Sequence, residues 1–162
     1  MIVISNTTPL IGMAVIGQFD LLHRLFGKIY IPQAVYDEAV VAGREEGGAR
    51  LEVTEASWIE TVRVIDRLAV DVLLDELDLG EAETIVLARQ MQADWVLMDE
   101  KKGRRKLAEL ELNKIGTLGL LLRAKQNGWL SVLAPELEKL QQLGFSLSQE
   151  VVNAILRQAG ER

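Results

Sequence analysis

The sequence predicts an α/β fold: a mostly parallel central sheet flanked by helices, with a helical hairpin at the C-terminus. Short runs rich in valine and isoleucine alternate along the chain with longer segments whose apolar residues recur at helical spacing. Such alternation is typical of parallel sheets, because successive parallel strands are usually joined by a helix. The chain has 162 residues, 49% hydrophobic and 26% charged, which predicts a single globular domain.

Five segments have the composition of buried strands, and helical patterns lie between them. The predicted strands are 2–5, 28–31, 58–64, 95–98 and 114–115. The predicted helices of the core are 8–16, 20–26, a helix with Pro32 in its first turn that ends near 41, 68–77, 81–92, 101–110 and 118–127.

One domain is expected to span 1–162, with a core that ends near residue 133. The C-terminal helices at about 134–159 are predicted as 135–143 and 147–158, separated by Gly144. The one stretch predicted to be mobile is GREEGG, residues 43–48.

Composition excludes several classes of chemistry. Cysteine is absent, so disulfides, thiol nucleophiles and thiolate metal sites cannot form, and any metal is expected on oxygen ligands. The only histidine, His23, has no evident serine or aspartate partner, which argues against serine–histidine–acid catalysis. The N-terminus lacks a basic leader and no apolar run is long enough to span a membrane. We therefore expect a cytoplasmic protein without membrane contact.

Four residues are candidates for a common site. Asn6 and Asp99 each follow a predicted strand directly, and the carboxyl ends of parallel strands lie on one rim of a sheet. Glu38 and Glu81 belong to helices and fall beside the apolar stripe that each helix would turn inward. The spacing therefore predicts that Asn6 and Asp99 share one rim and that Glu38 and Glu81 lie close to inward-facing apolar stripes.

Each of these acids also has an ordinary structural interpretation. Glu81 could complement the dipole at a helix N-terminus, and Glu83 is a second candidate for its place in the site. Asp99 could be the N-cap of the helix that begins at Lys101, and Glu38 could be a solvated edge residue. These alternatives remain open at the level of sequence.

Carboxylates that converge in one cleft repel one another, and a cation normally has to neutralise them. Oxygen ligands without cysteine or histidine favour Mg²⁺ or Mn²⁺. A basic run, KKGRRK, follows Asp99 directly and could supply phosphate contacts despite the net charge of −6. Its cations could instead form a solvated helix face or neutralise the acids themselves. The cations considered for substrate binding are Lys101, Lys102, Arg104 and Arg105.

Five motifs in order resemble the PIN-domain family of metal-dependent nucleases. They are VISNTTPLI, IPQAVYDEAV, LGEAETIVLA, DWVLMDEKKGRR and IGTLGLLLRAKQNG, and together they extend through most of the chain. The resemblance is closest to an uncharacterised prokaryotic branch in which GEAE, DE..GR and GTLG recur in this order. It implies the α/β fold already predicted.

The resemblance also implies roles for the candidate residues. Glu38, Glu81 and Asp99 would be catalytic metal ligands, with Asn6 at the position where the family usually has aspartate. An amide oxygen can bind a hard cation but brings no charge, so metal affinity should fall. The resemblance further places two hydroxyls near the substrate, those of Thr7 (with Thr8 as the alternative) and Thr117.

The implied activity is metal-dependent hydrolysis of RNA, as in the toxin of a toxin–antitoxin pair with an antitoxin protein as partner. A homodimer is also expected, from the family's tendency to pair and the apolar C-terminal helices. The alternative is a catalytically weakened relative that binds RNA or a protein partner, favoured by Asn6 and the acidic net charge. A receiver-like phosphoacceptor using Asp99 ranks last, because no clearly placed lysine supports it.

Overall fold

The computed structural model describes residues 1–43 and 48–162. Its centre is a five-stranded sheet in which every pair of neighbouring strands is parallel. The strands are β1 (Val3–Ser5), β2 (Ile29–Pro32), β3 (Ile59–Val62), β4 (Trp95–Leu97) and β5 (Lys114–Ile115). The α/β fold predicted from the alternation of elements is therefore confirmed.

The helices agree with the predicted ones to within a few residues, with two exceptions. The observed helices are α1 (Thr7–Val15), α2 (Asp20–Phe26), α3 (Gln33–Tyr36), α4 (Arg50–Glu55), α5 (Arg67–Leu73), α6 (Leu79–Met91), α7 (Lys101–Glu109), α8 (Thr117–Gln126), α9 (Ala134–Gln142) and α10 (Gln149–Gln158). Helix α3 continues directly into a π-helical segment (Asp37–Val41), which the sequence pattern did not predict. Helix α4 was also missed, because its six residues bury only Val53 and leave no apolar period to recognise.

Pro32 ends a strand instead of entering a helix. It is the last residue of β2 and has extended backbone angles as the N-cap of α3, which corrects its predicted place in the first helical turn. A proline is tolerated at this strand end because the missing N–H belongs to the last residue of the ladder. Of the predicted mobile stretch 43–48, residues 44–47 lie outside the described part of the chain.

The strand order is β3-β2-β1-β4-β5. The chain adds strands on one side of β1 first and then returns to build the other side, so the direction of winding reverses between β1 and β4. In register, Ser5 of β1 lies opposite Leu97 of β4, and the two strands end together. Such a reversal opens a crevice at the carboxyl ends of the two central strands, which is where ligands bind in open parallel sheets.

The sheet separates two hydrophobic cores. In β4, Val96 belongs to one core and Leu97 to the other, as the alternation of side chains along a strand requires. The core that contains Val96 also includes buried residues of α6 and α7, such as Ile85 and Leu107. The opposite core is formed mainly by α1, α2, α8 and the C-terminal helices. Both faces of the sheet are therefore covered, as is usual for parallel sheets.

The two C-terminal helices, α9 and α10, pack onto the core that contains Leu97. Leu137 and Leu140 of α9 and Val152 and Leu156 of α10 are buried within this chain. Part of the apolar surface that suggested a homodimer is therefore used inside the protomer, and the homodimer itself stays a prediction. Within the described ranges 1–43 and 48–162, none of the helices is both long and apolar enough to cross a membrane.

Glu161 joins the last residues of the chain to the start of α9. Its carboxylate accepts hydrogen bonds from the backbone N–H groups of Leu133 (2.7 Å) and Ala134 (3.1 Å), and it pairs with Lys125 Nζ at 2.5 Å. Burial opposes ionisation here, but these donors outweigh it and hold the pKa of Glu161 below its ordinary value.

We predict that Glu161→Ala lowers the free energy of unfolding by about 1–3 kcal/mol, because two backbone donors and Lys125 lose their acceptor. Urea denaturation measures the change. Glu161→Gln, which retains a neutral acceptor, should lose less, and Glu138→Ala on the exposed face of α9 serves as the matched control. An equal effect of the control and Glu161→Ala would contradict the prediction.

Candidate active site

Asn6 and Asp99 lie where β1 and β4 end. The backbone N–H of Asn6 donates to the carbonyl oxygen of Leu97 at 3.0 Å, which extends the pairing of the two strands by one step. The Asn6 side chain is only 3% exposed, and its amide donates to the sulfur of Met98 at 3.4 Å. The rim predicted from the two strand ends is therefore present, and Asn6 is part of its floor.

Glu38 reaches the same rim from the π-helical segment. Its Oε2 accepts a hydrogen bond from the hydroxyl of Thr7 at 2.7 Å. The other oxygen packs against Gly80, where a Cβ atom would lie 2.2 Å from Oε1. Glu38 thus contacts the first turns of both α1 and α6. A π-helical turn shifts the residues that follow it around the helix axis, and such turns are frequent at functional sites.

Glu81 takes part in a capping box at the start of α6. Its carboxylate accepts from the backbone N–H of Asp78 at 3.0 Å, and its own N–H donates to the Asp78 side chain at 2.8 Å. Glu81 therefore does lie at a helix N-terminus and contributes to its cap, as the structural interpretation of the sequence expected. Glu83 accepts from the N–H of Ala34 at 3.0 Å and pairs with Arg67 at 2.8 Å. Both candidates lie near other acids: the charge of Glu100 acts on Glu81, and the charge of Glu83 acts on Glu38.

Asp99 is held by the start of α8. Its two carboxylate oxygens accept from the backbone N–H (2.8 Å) and the hydroxyl (2.7 Å) of Thr117. Asp99 is therefore not the N-cap of α7, as one interpretation of the sequence suggested; that position belongs to Glu100. A Cβ atom at Gly116 would lie 2.8 Å from Asp99 Oδ1 and 3.2 Å from a guanidinium nitrogen of Arg104.

Glu100 belongs to the site but was not selected from the sequence. Its carboxylate accepts from the hydroxyl of Thr8 at 2.7 Å, and its charge raises the pKa of both Glu81 and Asp99. The sequence feature that could have identified Glu100 was its position directly after Asp99, at the end of a buried strand. We call Glu38, Glu81, Glu100 and Asp99 the acid row.

Burial raises the pKa of three members of the acid row above ordinary carboxyl values. Glu38 as a whole residue is exposed, as the alternative of a solvated edge residue expects, but partial burial of its carboxyl group is the first cause of its raised pKa, and the charges of Asp78 and Glu83 add to it against the Thr7 hydrogen bond. For Glu81 burial is again first, with Asp78 as a charged neighbour. For Asp99 burial outweighs the two bonds from Thr117 and the nearby positive charge of Arg104. Partial removal from water, with like charges nearby, therefore makes these three carboxyl groups harder to ionise than free ones.

The donor set suits a hard divalent cation, although the carboxylates do not yet converge on one. Within residues 1–43 and 48–162, no three histidine, cysteine, aspartate or glutamate side chains are placed to hold a single ion. Each acid is instead turned toward a hydroxyl or backbone N–H of the protein. The oxygen-only donor set is of the kind that hard divalent cations such as Mg²⁺ or Mn²⁺ prefer.

The basic run after Asp99 does not form a single surface. Arg104 is directed back to the rim, where it donates to the carbonyl of Met98 at 2.9 Å. Lys101 is exposed at the start of α7. Lys102 and Arg105 line a separate cleft of about 250 Å³ with Asp75, Glu76, Lys106 and Glu109. The predicted substrate-binding hydroxyls of Thr7 and Thr117 donate to Glu38 and Asp99 and so position the acids.

A comparison with protein families gives a match over nearly the whole chain. The family model described as a PIN domain matches residues 2–161. No curated protein matches the chain by sequence similarity.

We predict that Asp99→Asn changes how stability depends on pH in the metal-free protein. Because the folded pKa of Asp99 is raised, the folded state binds a proton more readily than the unfolded state above pH ~4. Stability then falls as the pH rises from about 4 through the folded pKa, and an asparagine removes this decline. It can keep both contacts with Thr117, since its carbonyl accepts from the N–H and its amide donates to the hydroxyl.

The stability of Asp99→Asn relative to the parent should therefore increase between pH 4 and pH 7. Urea denaturation of both proteins in EDTA at several pH values measures the difference; carboxyl groups far from Asp99 contribute equally to both proteins, and the coupled charge of Glu100 is part of the measured difference. A difference that is constant with pH would contradict the prediction.

Proposed function

The chain belongs to the PIN-domain family, whose members are generally nucleases, and we propose that it is a divalent-metal-dependent ribonuclease. The reaction is hydrolysis of an RNA phosphodiester bond by water. The single observation that supports it is the acid row, in which burial raises the pKa of Glu38, Glu81 and Asp99 at the crevice between β1 and β4.

In this proposal, Glu38 and Asp99 are the principal ligands of Mg²⁺ or Mn²⁺. Glu81 would hold a second ion or a coordinated water, and Asn6 would contribute a neutral oxygen. When bound, the ion lowers the pKa of a coordinated water and offsets charge that develops in the in-line displacement. Glu100, between Glu81 and Asp99, adds negative charge to the same hollow.

Other residues of the chain orient the acids and receive the substrate. The hydroxyls of Thr7 and Thr117 hold Glu38 and Asp99 in fixed rotamers before a ligand binds. Arg104, which is close to Asp99, would contact a phosphate of the RNA as it enters the hollow. We extend the proposal to a role as the toxin of a toxin–antitoxin pair, acting as a homodimer; this extension is supported by the family resemblance alone.

A second function is favoured by Asn6. Its amide donates to the Met98 sulfur, so the rim has a neutral, internally bonded residue at the place where the family usually has aspartate. A protein weakened in this way could bind RNA or a protein partner without cleaving RNA.

We predict that the purified protein with Mn²⁺ cleaves a mixed pool of RNA and that excess EDTA stops the cleavage. Asp99→Asn should reduce the rate roughly 100-fold or more, because a principal ligand loses its charge. Asp71→Asn, an exposed carboxylate on α5, is the matched control and should leave the rate unchanged. Gel electrophoresis of end-labelled RNA measures the products, and cleavage that survives both EDTA and Asp99→Asn would refute the proposal.

We also predict that Asn6→Asp increases the cleavage rate at limiting Mn²⁺, since it adds a charged ligand. The substitution also removes the donor to Met98, so a modest loss of stability in EDTA is expected. Rates measured across a Mn²⁺ titration separate metal affinity from maximal rate. Activity that appears only in Asn6→Asp would instead support the binding function.

A further inference from the structure

A pair of arginines lies outside the acid row and outside the basic run. Arg67, at the start of α5, pairs with Glu83 at 2.8 Å. Glu83 is 5% exposed, and its other oxygen accepts from the N–H of Ala34 at 3.0 Å. Because this carboxylate is fixed by two partners, it holds the guanidinium of Arg67 in one place on an otherwise exposed surface.

Arg63 joins Arg67 in a cleft. It directly follows β3, and the two arginines line a volume of about 340 Å³ together with Gln33, Val64 and Glu83. Among the residues that the structure describes, Glu83 is the only acid in this lining, and it is already engaged by Arg67 and a backbone donor. The cleft therefore has one guanidinium charge more than its own carboxylate compensates.

This cleft adjoins one end of the acid row. Glu83 lies three residues after Gly80, against which the Glu38 carboxylate packs, so a rise of about 4.5 Å along α6 separates them. At the other end of the row, Arg104 lies beside Asp99. Arg67, through its pair with Glu83, therefore lies toward the Glu38 end of the acid row, and Arg104 lies beside Asp99.

We propose that Arg63 and Arg67 form a second phosphate-binding site for a single-stranded RNA whose backbone crosses the acid row to reach Arg104. The identity of the ligand rests on the proposed ribonuclease function. An RNA strand carries repeated phosphates, so it can contact the cleft of Arg63 and Arg67 and also Arg104 at the same time. An isolated anion can occupy only one of these two places.

Arginine suits this task because its planar guanidinium can donate two parallel hydrogen bonds to one phosphate. Contacts to phosphates position a nucleic acid without reading its sequence. The site therefore orients the backbone on the Glu38 side, and RNA of any sequence should depend on it.

The test is fluorescence anisotropy of a labelled single-stranded RNA titrated with the full chain in EDTA, so that cleavage does not contribute. Arg63→Gln should weaken binding about threefold to fivefold at low ionic strength. It should also reduce the slope of log affinity against log salt concentration by about 0.7, the value for one lost phosphate contact on a single strand. Arg157→Gln, which removes an exposed cation on α10, is the matched control.

Arg67 needs a separate design because its loss leaves Glu83 without an ion pair. Arg67→Lys retains the charge but not the planar fork, and it should weaken RNA binding while thermal unfolding stays close to the parent. Arg63→Gln does not touch the pair with Glu83, so it keeps the test valid if an Arg67 variant is unstable.

The outcomes separate this inference from the proposed function. Cleaving activity combined with unchanged RNA affinity in Arg63→Gln and Arg67→Lys would overturn the inference and leave the ribonuclease intact. Weakened binding in these variants of a protein that does not cleave would support the inference alone. Equal weakening by Arg157→Gln, or displacement of the RNA by oligoglutamate at equal charge, would overturn it.

Discussion

The acid row depends on hydrogen-bond donors supplied by the first turns of helices. Glu38 and Glu100 accept from the hydroxyls of Thr7 and Thr8 at the start of α1, and Asp99 accepts from Thr117 at the start of α8. Glu81 lies in the first turn of α6. Helix N-termini carry partial positive charge, so three of them meeting at one edge of the sheet lower the free energy of carboxylates there. Without these donors Glu81 would be buried, and Asp99 and Glu100 half-buried, without partners, which is unfavourable.

Two glycines determine how closely the acids approach the backbone. At Gly80 and Gly116 an added Cβ atom would collide with the carboxylates of Glu38 and Asp99, respectively. The backbone angles of Gly116 (φ −97°, ψ 179°) are open to any residue. Its role is therefore the space it leaves for Asp99. The space at these two positions lets Glu38 and Asp99 lie against the starts of α6 and α8, respectively.

On both α6 and α7, one charged residue belongs to the candidate site and a nearby residue of like charge makes structural contacts instead. Along α6, Glu81 faces the acid row, while Glu83, two residues later, is used to bind the start of α3 and to fix Arg67. Along α7, Arg104 returns to the rim, while Lys106 pairs with Glu76 and Glu109 away from it. Residues of like charge two positions apart thus have different partners, because the rotation of the helix between them turns their side chains toward different neighbours.

The sequence by itself determined the fold class and the level in the sheet at which Asn6 and Asp99 lie, because strand and helix periods and the ends of buried strands are local properties. It also selected Glu38 and Glu81 from their positions on apolar stripes. Only the tertiary structure decided that Asp99 binds Thr117, that Glu100 joins the row, and that Glu83 and the basic run are divided among separate partners. The physical reason is that the contacts of Asp99, Glu100 and Glu83 join residues from 16 to 92 positions apart in the chain. Their geometry follows from strand order and helix rotation, which no local pattern specifies.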